Sequence, residues 1–153
     1  MRKMAFFFLA GSAIGAVSVF LAWINVAGSG ISYSGLGLII NIGKMEEISM
    51  DGLCVFVPVL VLILSLISLA YVLYAFKKDY NFAWQIADHT GFYIIAGMML
   101  YFHTTPDDMG IGIGAYLAVF SGCALFGGAI ALRLQIFLKR RAPGLLRKRT
   151  GRF

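Results

Sequence analysis

The sequence has 153 residues, of which 60% are hydrophobic and 13% charged, and its mean hydropathy is +0.86. This composition excludes an ordinary soluble domain and is typical of a membrane protein; the length suits one membrane domain over residues 1–153. The net charge of +6 does not indicate nucleic-acid binding, because the basic residues cluster at the ends and in one turn between apolar runs.

Four apolar runs predict an all-α membrane protein: an antiparallel bundle of four transmembrane helices. About 20 apolar residues cross a hydrocarbon layer of roughly 30 Å, and a chain in lipid must satisfy its own backbone hydrogen bonds. The first helix is expected at about 4–26 and is interpreted as a retained signal-anchor. Gly11 and Gly15 form a GxxxG pair in it. The pair favours close helix packing, although glycine is also simply common in membrane helices.

The first loop, residues 27–52, has strand-like composition. Residues 31–33 and 38–42 suit two strands, and the turn residues 34–37 between them predict a small extracytoplasmic β-hairpin. Residues 44–51 favour one or two helical turns. An uncovered hairpin edge invites pairing with another chain. The candidate partner-binding residues are Tyr33, Gly35, Leu36, Leu38 and Ile40.

The second and third helices are expected at about 53–76 and 82–102. The third contains Gln85, Asp88 and His89 at i, i+3 and i+4, a spacing that favours a shared helix face. Ionisable residues within a membrane helix suggest a proton-handling or ligand site. The alternative is a polar cluster near the cytoplasmic interface, paired with Arg133 or with water.

The fourth helix is expected at about 111–138. It opens with a second GxxxG pair, Gly110 and Gly114, which we expect to mediate self-association next to the hairpin. The tail at 139–153 is basic and expected to be mobile. Basic residues near a membrane surface attract anionic lipid head groups. The head-group candidates are Lys139, Arg140, Arg141, Arg147, Lys148 and Arg149.

The charges are sorted by side. With both termini cytoplasmic, twelve of the thirteen basic residues lie inside and only Lys44 lies outside. The positive-inside rule therefore predicts a multi-pass protein of the plasma membrane with both ends in the cytoplasm.

No catalytic or cofactor site is predicted. His89 and His103 lie fourteen residues apart on one helix, roughly 21 Å, so they cannot ligate one haem. His103, Asp107 and Asp108 have ligand types that suit a divalent ion, but we favour a Pro-Asp turn that caps the fourth helix, where acids suit the positive end of the helix dipole. Cys54 and Cys123 form no CxxC pair and are interpreted as small buried side chains.

The layout resembles the claudin-like four-helix proteins, including peripheral-myelin-type relatives. The features that carry the resemblance are Trp23 at the outer end of the first helix, Gly35-Leu36 in a strand-forming first loop, and a glycine-rich fourth helix. The sequence lacks the second tryptophan and the cysteine pair of that family's first loop. It is also similar to small prokaryotic four-helix proteins of unassigned role. The resemblance implies a small outer sheet on a helix bundle and lateral assembly.

These features favour a non-enzymatic structural or assembly subunit that packs with copies of itself or within a larger membrane complex. A channel or transporter subunit that uses Asp88 and His89 is the alternative from another class. A membrane enzyme of the glutathione-transferase type matches in size and helix count, but its polar motif of Arg, Glu and Asn is not found.

Overall fold

The computed structural model describes residues 2–26, 28–40, 52–77, 80–105 and 109–149. This part of the chain is mostly helical and carries one small antiparallel sheet. The elements in chain order are α1 (Arg2–Ser18), β1 (Ala22–Val26), β2 (Ser32–Ser34), α2 (Gly35–Ile40), α3 (Gly52–Lys77), α4 (Tyr80–Thr104), β3 (Met109–Ile111) and α5 (Ile113–Arg149).

The four long helices pack as a ring. Helix α1 contacts α3 and α5, and α4 contacts the same two helices, so α1 and α4 lie at opposite corners. The bounds of α3 and α4 lie within about two residues of those expected from the sequence. Buried apolar side chains from all four helices form one core, among them Phe8, Val61, Ile94 and Leu125.

Two helical segments are long and apolar enough to cross a membrane. They are Phe56–Ala75 in α3 and Ile113–Leu138 in α5, with mean hydropathies of 2.7 and 1.9. The apolar part of α1, Phe6–Ser18, is shorter. Helix α4 includes polar residues such as Asp88 and His89. The described residues therefore contain two candidate membrane spans.

The first helix is shorter than the apolar run that contains it. The prediction of a helix over 4–26 is wrong, because α1 ends at Ser18 and residues 22–26 form a strand. Carbonyl groups at the end of α1 and just after it accept hydrogen bonds from the segments that follow the helix. The Trp23 indole N–H donates to Ser18 O at 2.7 Å, and the Leu36 N–H donates to Val19 O at 2.9 Å. These bonds replace the next helical turn.

The hairpin lies earlier in the chain than expected. Strand β1 pairs antiparallel with β2, through a turn in which Gly28 and Gly30 have φ of 77° and 67°, values that favour glycine. The predicted turn at 34–37 instead begins α2. The Ser34 hydroxyl accepts the Gly37 N–H at 3.0 Å, as a helix N-cap does. The predicted strand at 38–42 is helical through Ile40. Residues 41–51, including the expected turns at 44–51, lie outside the described residues.

The second GxxxG pair does not lie on one helix. Gly110 belongs to β3, which pairs with β1, and Gly114 lies in the first turn of α5. The sheet order is therefore β2-β1-β3, with the first strand in the centre. Helix α5 continues to Arg149, so the fourth helix is longer than expected and includes residues 139–149 of the basic tail. The mobility expected for the tail stays a prediction.

Trp23 joins the sheet to the bundle. The pairing of β1 with β2 shifts between Ala22 and Ile24, and a bulge of this kind turns a side chain out of the regular alternation. Trp23 and Tyr101 of α4 are fully buried, and their rings meet edge to face with centroids 5.2 Å apart. The backbone oxygen of Trp23 accepts the Gly112 N–H at 2.8 Å and the Tyr101 hydroxyl at 3.0 Å.

Glycine leaves the space that the buried indole needs. A Cβ atom on Gly114 would lie 2.5 Å from Trp23 Cδ1 and 2.6 Å from Ser18 O. One on Gly35 would lie 2.9 Å from Val19 O and 3.0 Å from Trp23 Nε1. Separations this short force rearrangement, so both positions require glycine for close approach. Gly114 thus serves packing within the chain.

Gly114→Ala is expected to destabilise the fold by about 1–3 kcal/mol, the usual cost of overpacking a close-packed interior. The matched control is Gly110→Ala, because a Cβ there meets its nearest atoms at an ordinary 3.5 Å. Thermal unfolding of both variants in mild detergent measures the difference. Equal melting temperatures for the two variants would contradict the role assigned to Gly114.

Candidate functional site

The GxxxG face of α1 is occupied within the chain. A Cβ atom on Gly15 would overlap the hydroxyl oxygens of Ser65 in α3 and Ser121 in α5. A Cβ on Gly11 would lie 3.3 Å from Leu125 of α5. The glycine pair therefore lets α1 approach two neighbouring helices, as small residues do in membrane bundles.

A layer of buried hydroxyl groups surrounds Gly15. The Ser12 hydroxyl donates to Phe8 O at 2.8 Å, and the oxygens of Ser12 and Ser68 lie 2.9 Å apart. Ser121 donates to Gly11 O at 2.7 Å across the α1–α5 contact. We call Ser12, Ser65, Ser68 and Ser121 the serine layer; all four are fully buried. It joins three helices by polar contacts.

Ser65 differs from the other three serines. Its hydroxyl oxygen is buried and is the one such side-chain atom in the described residues that has no hydrogen-bond partner. It lies against the Cα of Gly15, where the absent side chain leaves room for it.

The polar residues of α4 face different neighbours. Asp88 is buried and pairs with Arg133 of α5 at 2.5 Å, while half of the Arg133 side chain remains exposed. Gln85 and His89 are exposed and line a groove beside Leu64 of α3. The structure thus places Asp88 apart from Gln85 and His89, and it contains the Asp88–Arg133 pair that the sequence suggested as the alternative.

The loop residues expected to bind a partner are mostly turned inward. Gly35 and Leu38 are buried, whereas Tyr33 and Leu36 are half-buried and pack against the core. Ile40 is exposed, with 73% of its surface accessible. The hairpin region therefore contributes to the core of the fold at this end of the bundle.

The six basic candidates for lipid head groups follow each other along the last part of α5, within residues 139–149. The environments of their side chains lie outside what the structure describes. His103 is exposed at the end of α4. Asp107 and Asp108, its expected partners in a metal site, are not among the described residues. Within the described residues, no three His, Cys, Asp or Glu side chains lie close enough together to hold a metal ion.

An apolar groove runs between α1 and α5 on the outside of the bundle. Its volume is about 550 Å³. Small residues form its floor, and Phe7 and Phe120 flank it. A Cβ atom added to Gly127 would meet nothing within 4 Å, so the groove is open there. We call it the α1–α5 groove; its lining is Phe7, Ala10, Gly11, Ile14, Phe120, Cys123, Ala124, Gly127, Gly128 and Ala131.

Comparisons with known proteins leave the family open. No protein-family model, curated protein or solved structure matches this chain. The case for a function therefore depends on the chain's own residues.

Sequence reasoning missed the serine layer and the α1–α5 groove. A signal for the first was present, since Ser65 and Ser68 interrupt an apolar run at i and i+3. Polar residues at that spacing in a membrane helix favour a contact with another helix. The groove had no comparable signal, because Gly127 is one of many glycines in α5 and only packing leaves it uncovered.

Ser12→Ala is expected to lower the free energy of unfolding by about 0.6–1.5 kcal/mol, because it removes hydrogen bonds inside the bundle. Ser65→Ala is the matched variant. It is expected to leave stability unchanged or to raise it, because it removes a hydroxyl group that has no partner. Reversible unfolding in mixed micelles measures both. A larger loss for Ser65→Ala than for Ser12→Ala would contradict this reading of the layer.

Proposed function

We propose that this chain is a non-enzymatic membrane protein, a structural or assembly subunit that packs laterally through the α1–α5 groove. In this proposal α1, α3, α4 and α5 all cross the bilayer and both termini are cytoplasmic. The small sheet then lies at the outer end, where the claudin-like resemblance implies one.

The surface of the bundle supports burial in lipid. Large apolar side chains are exposed on all four long helices, for example Phe7 of α1, Phe56 of α3, Phe92 of α4 and Phe120 of α5. A soluble monomer rarely exposes so much contiguous apolar surface. Such a surface is stable where hydrocarbon surrounds it.

The charges support the orientation. The sheet, the start of α5 and the ends of α1 and α4 meet at one end of the bundle. Basic residues concentrate at the opposite end, in the N-terminal Arg2-Lys3 and in residues 139–149 of α5. The positive-inside rule assigns that end to the cytoplasm.

The α1–α5 groove is the observation that carries the assembly proposal. Apolar burial gives helices no advantage over lipid, so association in a membrane depends on close contact at small residues. The other glycine faces are filled within the chain, as Gly15 and Gly114 illustrate. Gly127 remains open beside Cys123 and Ala124. This surface can admit a helix of a second copy or of a partner subunit.

Topology is tested by cysteine labelling in a background with Cys54 and Cys123 replaced by Ser. We expect Ser29→Cys, in the exposed turn of the sheet, to react with an impermeant maleimide added outside intact cells. Thr150→Cys is expected to react only after permeabilisation. Labelling of Ser29→Cys from the cytoplasm alone, or of Thr150→Cys from outside, would overturn the proposed orientation.

Assembly is tested by Gly127→Leu, which fills the groove where it is open. We expect the oligomer in nanodiscs to weaken at least tenfold, about 1.4 kcal/mol, while the monomer stays folded. Ala96→Leu is the matched control, because Ala96 is an exposed small residue on α4, opposite α1. Particle mass measures both. A monomeric wild-type protein, or equal weakening by the two variants, would contradict assembly through the groove.

A further inference from the structure

Three polar side chains form a line along α4. Gln85, His89 and Tyr93 follow one another at steps of four residues, and all three are exposed. They border a groove of about 380 Å³ that also includes Leu64 of α3. Side chains four residues apart lie on one helix face. We call this line the polar stripe.

The hydrogen bonding of His89 identifies its tautomer. The Nδ1 atom lies 2.7 Å from the backbone oxygen of Gln85. A carbonyl oxygen can only accept, so Nδ1 carries the hydrogen and donates. In the neutral ring Nε2 then has a lone pair. Among the described residues, His89 makes no further hydrogen bond. An acceptor atom is therefore available on the exposed face of α4 beside the groove.

The part of the groove lining that the structure describes carries no charged side chain. Besides the polar stripe and Leu64 it includes Ile86 and Thr90, and the Thr90 hydroxyl already donates to Ile86 O at 2.8 Å. Asp88, the neighbour of His89 in the sequence, pairs with Arg133 across the α4–α5 contact. Since no cation lines the groove among the described residues, these residues offer no strong attraction for a phosphate or carboxylate. The free acceptor and the tyrosine and amide groups of the polar stripe suit a neutral hydroxyl group.

The depth of the polar stripe in the bilayer limits the class of ligand further. His89 lies fifteen residues before the end of α4 at Thr104, about 22 Å along the helix. If α4 crosses the hydrocarbon layer of roughly 30 Å from the sheet end, the stripe lies in the inner leaflet. The groove then opens toward lipid, and Leu64 and Ile86 offer apolar contact beside the polar groups.

We propose that the polar stripe binds the head of a neutral, hydroxyl-bearing amphiphile of the inner leaflet, such as a diacylglycerol or a quinol. The hydroxyl group of the ligand donates to His89 Nε2, and Gln85 and Tyr93 supply further donors and acceptors. The apolar tail lies against Leu64 and Ile86. This proposal rests on the membrane placement proposed above.

The test uses the full chain in nanodiscs with ¹⁵N-labelled histidine. The protein has two histidines, so His103, at the other end of α4, serves as an internal reference. We expect the apo spectrum to show His89 as the Nδ1–H tautomer. Titration with dioctanoylglycerol or with a decyl benzoquinol is expected to shift the His89 Nε2 resonance saturably while His103 stays unchanged. The probe that saturates the shift at the lower mole fraction shows whether the site prefers a diacylglycerol or a quinol.

Tyr93→Phe is the conservative variant. It removes only the hydroxyl group of a half-exposed side chain, so we expect the fold to stay intact. It is expected to raise the midpoint of the titration about three- to tenfold, the effect of one hydrogen bond. Tyr116→Phe, an exposed tyrosine on α5, is the control and is expected to change nothing. Dioctanoyl phosphatidylglycerol, which is anionic, is expected to give no saturable shift.

Four results would overturn the proposal: an Nε2–H tautomer in the apo protein, no saturable shift with either neutral probe, an equal shift with the anionic lipid, or a Tyr93→Phe midpoint equal to that of the wild type. Cysteine labelling reports the membrane placement independently. A failed titration with the labelling pattern intact would reject the ligand site alone, whereas a reversed labelling pattern would reject the placement.

Discussion

The fold depends on the burial of Trp23 where the sheet meets the helices. Its indole N–H caps α1, its backbone oxygen accepts from Gly112 after β3 and from Tyr101 of α4, and its ring packs on Tyr101. An indole N–H inside a dry bundle needs an acceptor, and the end of a helix offers free carbonyl groups. Trp23 therefore caps the end of the first helix, lies in the central strand of the sheet and leaves no space for a side chain at position 114.

Small and polar residues also make the contacts between helices inside the bundle. In hydrocarbon, helices gain little from apolar contact and associate through small and polar residues. Gly15 and the serine layer meet this need where α1 passes α3 and α5, and the Asp88–Arg133 pair joins α4 to α5 further along. The glycines that seemed free to bind a partner are thus largely used within the chain.

Two surfaces of the bundle remain open to a partner or ligand, and they lie on different sides of the ring of helices. The α1–α5 groove and the polar stripe beside α3 and α4 lie on opposite sides of the bundle, because α1 and α4 occupy opposite corners. One surface is lined with small apolar residues and suits a helix. The other carries neutral donors and acceptors and suits a polar head group. The lateral assembly proposed through the first surface would therefore leave the second surface uncovered.

The sequence by itself determined the apolar character of the chain, the four long helical runs and the approximate bounds of α3 and α4. It did not determine where α1 ends, because an uninterrupted apolar run such as 4–26 has no period that distinguishes strand from helix. It also presented Ser34 as a turn residue, although the same serine caps α2. Tertiary structure decided these points, since Leu36, Tyr101 and Gly112 are distant in the chain and donate to the backbone oxygens of Val19 and Trp23. The indole of Trp23, held in place by these contacts, donates to Ser18 O. It likewise decided that Gly15 and Gly114 pack inside while Gly127 stays open, because the three differ in their neighbours and not in their chemistry.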